Sequence, residues 1–194
     1  TAYMMECPNL VFINDQPVLL YCPQGLSKDV LDYGNIYPNM YKIGRSFDTN
    51  KAAMIDPSPI QNLDFGFDCY ATQAFNAPDG RALAVSWLGL PDVEYPSDRF
   101  DHQGVFSLVK ELTLKDGKLY QYPVPAIKDL RAEEQPFTAL AESTNSYELE
   151  LDFAANTEHE IVLFADKDGK GLRINFDLKA GQVTVDRSQA GEPF

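Results

Sequence analysis

Apolar and polar residues alternate with a period of two along much of the chain, the pattern of strands with one buried face. Over residues 146–153 the alternation is regular. Tyr147, Leu149, Leu151 and Phe153 are assigned to a core, and Ser146, Glu148, Glu150 and Asp152 to water. Elsewhere, paired runs flank clusters of turn residues. Residues 10–13 and 18–22 flank Asn14-Asp15-Gln16, and residues 69–75 and 81–88 flank Asn76-Ala77-Pro78-Asp79-Gly80. Residues 105–114 and 118–122 flank Lys115-Asp116-Gly117, and residues 160–164 and 172–178 flank Asp166-Lys167-Asp168-Gly169. Each reads as a β-hairpin. One modest helix is predicted over residues 126–134, after Pro123 and Pro125. Short strands at regular spacing predict an all-β chain: a sandwich, a barrel or a propeller. No internal repeat is visible in the letters, which weakens a propeller without removing it.

Length and charge narrow the classes. The 194 residues suit one domain or two small ones, and the proline- and charge-rich stretch 123–136 is the expected join. Sixteen basic against 29 acidic side chains give a net charge of −13. That balance excludes nucleic acid and anionic membrane as expected partners, because both require clustered Lys and Arg. No apolar run approaches the roughly 18 residues of a membrane span. Cys7, Cys22 and Cys69 are odd in number and widely spaced, which points to a reducing compartment. The chain opens on Thr1-Ala2-Tyr3-Met4-Met5-Glu6 and closes soon after a strand-like run at 183–188, so a fragment of a longer protein is expected.

Little of the usual site chemistry is present. His102 and His159 are far apart and no cysteine pair has ligand spacing, so neither a metal nor a cofactor is expected. Asp166-Lys167-Asp168-Gly169 lacks the later carboxylates of a calcium loop and reads as a plain turn. Gly-rich phosphate loops and a Gly-x-Ser-x-Gly elbow are absent.

The carboxylates carry more. Glu6 stands between the apolar run Tyr3-Met4-Met5 and Cys7-Pro8. Ionising a carboxyl among apolar neighbours costs hydration and so favours the acid form, which a proton donor needs. The alternative is a merely solvated Glu. Asp64-Phe65-Gly66-Phe67-Asp68 reads either as a turn capping a strand or as the polar rim of a pocket. The single tryptophan, Trp87, is either a platform for a sugar ring or a core residue.

In order, these stretches resemble a known family. Glu6-Cys7-Pro8 followed by a hairpin is similar to the Glu-Cys-Pro signature of family 32 of the glycoside hydrolases, the invertases and β-fructosidases. Asp64-x-Gly66-x-Asp68-x-Tyr70-Ala71 resembles the family's Asp-x-Gly-x-Asp-Phe-Tyr-Ala block, and Gly80-Arg81 with Trp87 its Gly-Arg-strand-Trp segment. The run from Leu90-Pro91 through Tyr95-Pro96 to Leu112-Thr113-Leu114 is most similar to the bacterial branch that hydrolyses sucrose 6-phosphate. Thr184-Val185-Asp186-Arg187-Ser188 resembles a run in the family's C-terminal sandwich.

The resemblance implies a five-bladed β-propeller followed by a β-sandwich. It assigns 1–125 to about three blades of a partial propeller, 126–136 to a linker and 137–194 to the start of the sandwich. The implied reaction is retaining hydrolysis of a β-fructofuranoside, with sucrose 6-phosphate or sucrose as the small-molecule substrate. Glu6 maps onto the acid/base. The family's nucleophilic aspartate lies in an Asn-Asp-Pro segment, with an Arg-Asp-Pro segment gripping fructose. Neither is found here, and Ile55-Asp56-Pro57 is no substitute. The chain alone is therefore expected to be inactive, its partner being the missing N-terminal half of its own protein.

Trp87, Tyr70, Tyr41 and Cys7 are the further candidates for substrate contact, Cys7 as an aid in keeping Glu6 protonated. The segment Cys22-Pro23-Gln24-Gly25 is expected to be a loop reaching the leaving sugar. Lys42, Arg45 and Arg99 are candidate phosphate ligands. Asn9 stands where many relatives carry Asp, and Cys69 where Phe is usual. A phosphorylated sugar and unpaired cysteines together imply a cytoplasmic location. A second hypothesis, from another class, is a non-catalytic β-rich sugar-binding or assembly module.

Overall fold

A computed structural model describes residues 2–136 and 146–191. The chain divides into two compact units, residues 1–93 with 97–130, and residues 94–96 with 131–194. Among the described residues there are fourteen strands and two short 3₁₀ helices. The all-β expectation holds.

The first unit opens with a sheet of β1 (Met4–Ile13), β2 (Gln16–Gln24), β3 (Met40–Ile43) and β6 (Gln61–Asn62), in that spatial order. The β1–β2 turn is Asn14-Asp15, both with positive φ (50° and 63°). This is the two-residue geometry that matches strand twist, and Asn and Asp tolerate it best among residues with a Cβ. β4 (Ser46–Asp48) and β5 (Ala53–Ile55) form a separate ribbon. A further sheet runs β11 (Lys118–Pro123), β10 (Lys110–Lys115), β8 (Ala82–Leu88), β7 (Cys69–Asn76), with β9 (Val105–Phe106) pairing β8. Val11, Val18, Leu20, Ile43, Leu63, Ala82, Ala84 and Leu112 form its main apolar core with the first sheet.

Two asparagine side chains join these sheets where backbone pairing stops. Asn9 donates from Nδ2 to the Thr72 carbonyl (2.8 Å) and the Cys7 carbonyl (2.7 Å), and its Oδ1 accepts from the Ala74 amide (3.0 Å). Asn76 accepts from the Phe12 amide (2.8 Å) and donates to the Phe12 carbonyl (2.7 Å). A carboxamide reproduces the donor–acceptor pair of a peptide group, so each side chain stands in for one residue of a strand.

The second unit holds a sheet of β12 (Glu158–Leu163), β13 (Leu172–Asp177) and β14 (Gln182–Asp186). His159, Ile161 and Leu163 pair with Phe176, Ile174 and Leu172. Phe153 packs on the His159 ring at 4.3 Å and on Phe176 at 5.0 Å, centroid to centroid.

Three expectations are corrected. Residues 146–153 are not a strand. Leu149, Leu151 and Phe153 turn inward while Glu148, Glu150 and Asp152 stay exposed, but Tyr147, expected in the core, is exposed, and no ladder forms among the described residues. Alternation reports which face is buried, and it does not report a pairing partner. The run 105–114 is two strands, because Ser107 takes the Ser86 backbone for itself. Its amide donates to the Ser86 carbonyl (2.8 Å), and its Oγ accepts from the Ser86 amide (3.0 Å). The helix over 126–134 is a 3₁₀ segment, Pro125–Leu130. Residues 131–136 continue without helical structure.

Asn9→Ala removes two hydrogen bonds between the sheets and one within β1, and it strands the Ala74 amide. The expected cost is about 1–3 kcal/mol in denaturant unfolding of the protein, and an unchanged midpoint would show that the junction contributes nothing.

Candidate functional site

Glu6 lies half-buried on β1, opposite Cys22 of β2. From Glu6 to Asn9 the strand advances three residues while β2, from Cys22 to Leu20, advances two. The extra residue makes a β-bulge, and Cys7 takes it up with φ 48°. Pro8, which has no N–H to give a ladder, suits this place. A matching bulge follows Tyr70 on β7: Tyr70 pairs Trp87, Gln73 pairs Val85, and Ala71 has φ 48°. Bulges bend a strand and re-aim the side chain beside them. Here two strands from different sheets each carry a functional candidate just before a bulge, and Asn9 bonds the carbonyls of Cys7 and Thr72, one in each bulge.

The two side chains meet. Tyr70 donates its hydroxyl proton to Glu6 Oε2 at 2.7 Å. Gln24, at the end of β2, donates from Nε2 to the same Oε2 at 2.9 Å and to the Tyr70 hydroxyl oxygen at 3.2 Å. Burial, and then the bond to Glu6, hold the Tyr70 phenol far above its ordinary range, so it is a proton donor throughout neutral pH. Among the described residues Glu6 Oε1 takes no hydrogen bond.

An aromatic wall surrounds this group. Tyr70 is buried with Cys22 and Leu90, and Tyr37 and Trp87 pack against them. The Tyr37 ring is tilted 5.9 Å from that of Tyr70. Its hydroxyl donates to Asp92 at 2.8 Å, and that bond pushes its proton affinity up. Trp87 is held between two glycines. A Cβ added at Gly89 would come within 2.5 Å of the indole, and one at Gly104 within 2.1 Å, which no Cβ tolerates. Gly104 also has φ +71°. The indole thus fixes two glycine positions in sequence.

A buried polar chain backs the wall. Asn39 Nδ2 donates to Thr72 Oγ1 (2.6 Å), which bonds Ser86 Oγ (2.7 Å), while Cys22 Sγ donates to Asn39 Oδ1 (3.6 Å). Burial pushes the Cys22 thiol up to about 12 and raises that of Cys69. Cys7 is raised by partial burial first and by the neighbouring Glu6 charge second. All three cysteines are free thiols.

Four of the five expected site residues are therefore brought together: Glu6, Cys7, Tyr70 and Trp87. Tyr41 is not. It lies in the main core, its hydroxyl donating to Gln61 Oε1 (3.0 Å) and accepting from the Leu119 amide (3.3 Å). Residues 22–24 are strand and not loop, with Gly25 following at φ 72°. Gln24 touches the acid directly. Arg45 is paired with Asp56 at 2.8 Å, Arg99 lies over the Phe100 ring at 4.9 Å, and Lys42 sits in β3 opposite Leu19. No contact ties any of the three to Glu6 among the described residues. Sequence reasoning points to Gln24 only as part of segment 22–25, and to Tyr37, Asn39, Thr72 and Ser86 not at all. Thr72 and Ser86 carried a signal, since each is a polar residue at an inward-facing strand position.

Residues 1–123 match the family described as glycosyl hydrolases family 32, N-terminal domain. The chain belongs to family 32 of the glycosyl hydrolases. Within that family it is 64% identical over 194 residues to a sucrose-6-phosphate hydrolase of Streptococcus mutans, covering 100% of this chain and 40% of that protein. It is 50% identical to one of Lactococcus lactis, covering 96% and 41%. Among solved structures, a sucrose-6-phosphate hydrolase from Lactobacillus gasseri superposes with a TM-score of 0.84 at 44% identity, over 99% of this chain and 41% of that one. A family 32 β-fructofuranosidase of Bombyx mori does so with 0.77 at 28%, over 96% and 41%. This chain thus spans about two fifths of the length of the relatives it matches. Among the described residues, no helix is long and apolar enough to cross a membrane, and no cluster of ligating side chains could hold a metal ion.

The thiols give a test of this environment. Cys7, partly accessible, is expected to react first with iodoacetamide at pH 8, yet more slowly than an unperturbed cysteine, because a raised pKa lowers its thiolate fraction. Glu6→Gln removes the adjacent charge and speeds the reaction. Labelling of Cys22 ahead of Cys7 would contradict the arrangement.

Proposed function

We propose that this chain supplies the acid/base half of the active site of a retaining β-fructofuranosidase that cleaves sucrose 6-phosphate or sucrose. The observation that carries the reading is the convergence of Tyr70 and Gln24 on one oxygen of Glu6, with Trp87 packed against the cluster that holds Tyr70. The names of the relatives supply the substrate class.

In this reading Glu6 protonates the glycosidic oxygen as the fructosyl–oxygen bond breaks, and the electron pair stays on the departing glucose unit. An aspartate of the family's Asn-Asp-Pro segment, outside these 194 residues, bonds the anomeric carbon. Glu6 then removes a proton from the water that releases fructose. A separation of about 5–5.5 Å between the carboxyls suits this double displacement. Trp87 forms one wall of the sugar pocket, with Tyr70 as its floor. In the same reading, residues 1–125 are about three blades of a five-bladed propeller, 126–136 a linker and 137–194 the start of a sandwich. Three free thiols and a phosphorylated substrate support a cytoplasmic location.

In the full-length protein, Glu6→Gln is expected to lower kcat on sucrose by about 10²–10⁴-fold, the usual contribution of a positioned general acid. The 194-residue chain alone is expected to show no turnover, for want of a nucleophile. Near-normal turnover by Glu6→Gln would remove Glu6 from the mechanism. Turnover by the isolated chain would place the nucleophile within it.

A further inference from the structure

Each hydrogen bond around Glu6 has a forced direction. An amide nitrogen only donates, so Gln24 Nε2 gives one N–H to Glu6 Oε2 and the other to the Tyr70 oxygen. The Tyr70 oxygen therefore accepts from Gln24, and its own proton goes to Glu6 Oε2. The amide is not free to flip. Its Oε1 accepts from the Tyr3 hydroxyl at 3.2 Å, and a flip would turn that oxygen toward the carboxylate. Oε2 thus receives two donors and has no room for a proton of its own, while Oε1 takes no bond from the described residues.

We infer that Gln24 is a positioning residue that, with Tyr70, reserves Glu6 Oε2 as a fixed acceptor and assigns the transferable proton to Oε1. The inference rests on the acid/base reading of Glu6 and deepens it by naming the oxygen that does the work. Tyr70 alone does not suffice. A phenol can rotate its proton away or accept one, and then Oε2 could be protonated. The Gln24 N–H on the Tyr70 oxygen removes that freedom, because it leaves the phenol proton only the carboxylate to bond. The carboxyl plane is held by the same two bonds, so Oε1 is aimed as well as assigned. In the first step the proton on Oε1 passes to the glycosidic oxygen. In the second, Oε1 takes a proton from water, so the group returns to its starting state with Oε2 unchanged.

Gln24 sits half-exposed at the end of β2, a place where a change of side chain spares the core. Gln24→Met keeps the volume and removes both N–H donors. Gln24→Glu keeps the shape and puts an acceptor where a donor stood. The discriminating readout is kcat/KM on two fructosyl donors, sucrose and β-fructofuranosyl fluoride, in the full-length protein. The fluoride leaves as an anion without needing a proton, so it ignores a misplaced acid. Loss of a hydrogen bond to a charged group predicts about a 10- to 100-fold fall on sucrose for Gln24→Met. The fall on the fluoride is expected to be less than about threefold, and Gln24→Glu is expected to show a larger split. Equal falls on both donors would make Gln24 merely structural and overturn the inference. No fall on either would overturn it too. Glu6→Gln serves as the reference: a large split there with none at Gln24 sinks this inference alone, whereas no split at Glu6 sinks the acid/base reading with it.

Discussion

The arrangement depends on one carboxamide. Asn9 bonds the carbonyl of Cys7 in one strand and that of Thr72 in another, and it satisfies the Ala74 amide as well. Those carbonyls belong to two bulges, each opened by a residue in the left-handed region directly after a functional side chain. A bulge alone turns a side chain, and two independent bulges would turn Glu6 and Tyr70 without relation to each other. Tying the bulges together makes their two aims a single geometric quantity, which is why a phenol on one sheet meets a carboxylate on the other at 2.7 Å. An aspartate at position 9 would keep the acceptor and lose both donors.

Behind the junction the packing is polar as well as apolar. Cys22, Asn39, Thr72 and Ser86 form a chain of hydrogen bonds in the buried interior. In a low-dielectric setting such a chain is costly when broken, so it tolerates one arrangement of β2, β7 and β8 and resists others. Burial that keeps the Cys22 thiol protonated keeps it a donor to Asn39. The cysteines near the acid are thus structural parts of the wall, with only Cys7 at its margin.

Much of this was legible in the letters, for identifiable reasons. Turn chemistry is local, so Asn14-Asp15 located the first hairpin and Lys115-Asp116-Gly117 the third. Glu6, Tyr70 and Trp87 were legible because they stand in ordered motifs of family 32, and the bulge after each carboxylate or phenol bearer needs a particular local sequence, such as Cys7-Pro8. What failed was long-range. Tyr41 looked available because nothing local shows that its hydroxyl faces Gln61 and Leu119 in the core. Gln24 was placed in a loop by Pro23 and Gly25, yet β3 ends opposite Tyr21 and leaves Pro23 beyond the ladder it would have broken. The alternation over residues 146–153 gave the inward face at Leu149, Leu151 and Phe153 but not at Tyr147, and no strand, since a ladder needs a neighbour that the segment cannot specify.

The central claim is that this junction presents one particular oxygen of Glu6 to a sugar. A crystal structure of the full-length protein with bound sucrose, in a variant lacking the nucleophile, tests it most directly. The account predicts the glycosidic oxygen at about 3 Å from Oε1, with Oε2 still held by Tyr70 and Gln24 and the sugar against Trp87. A sugar approached by Oε2, or bound away from Trp87 with Glu6 turned from it, would contradict it.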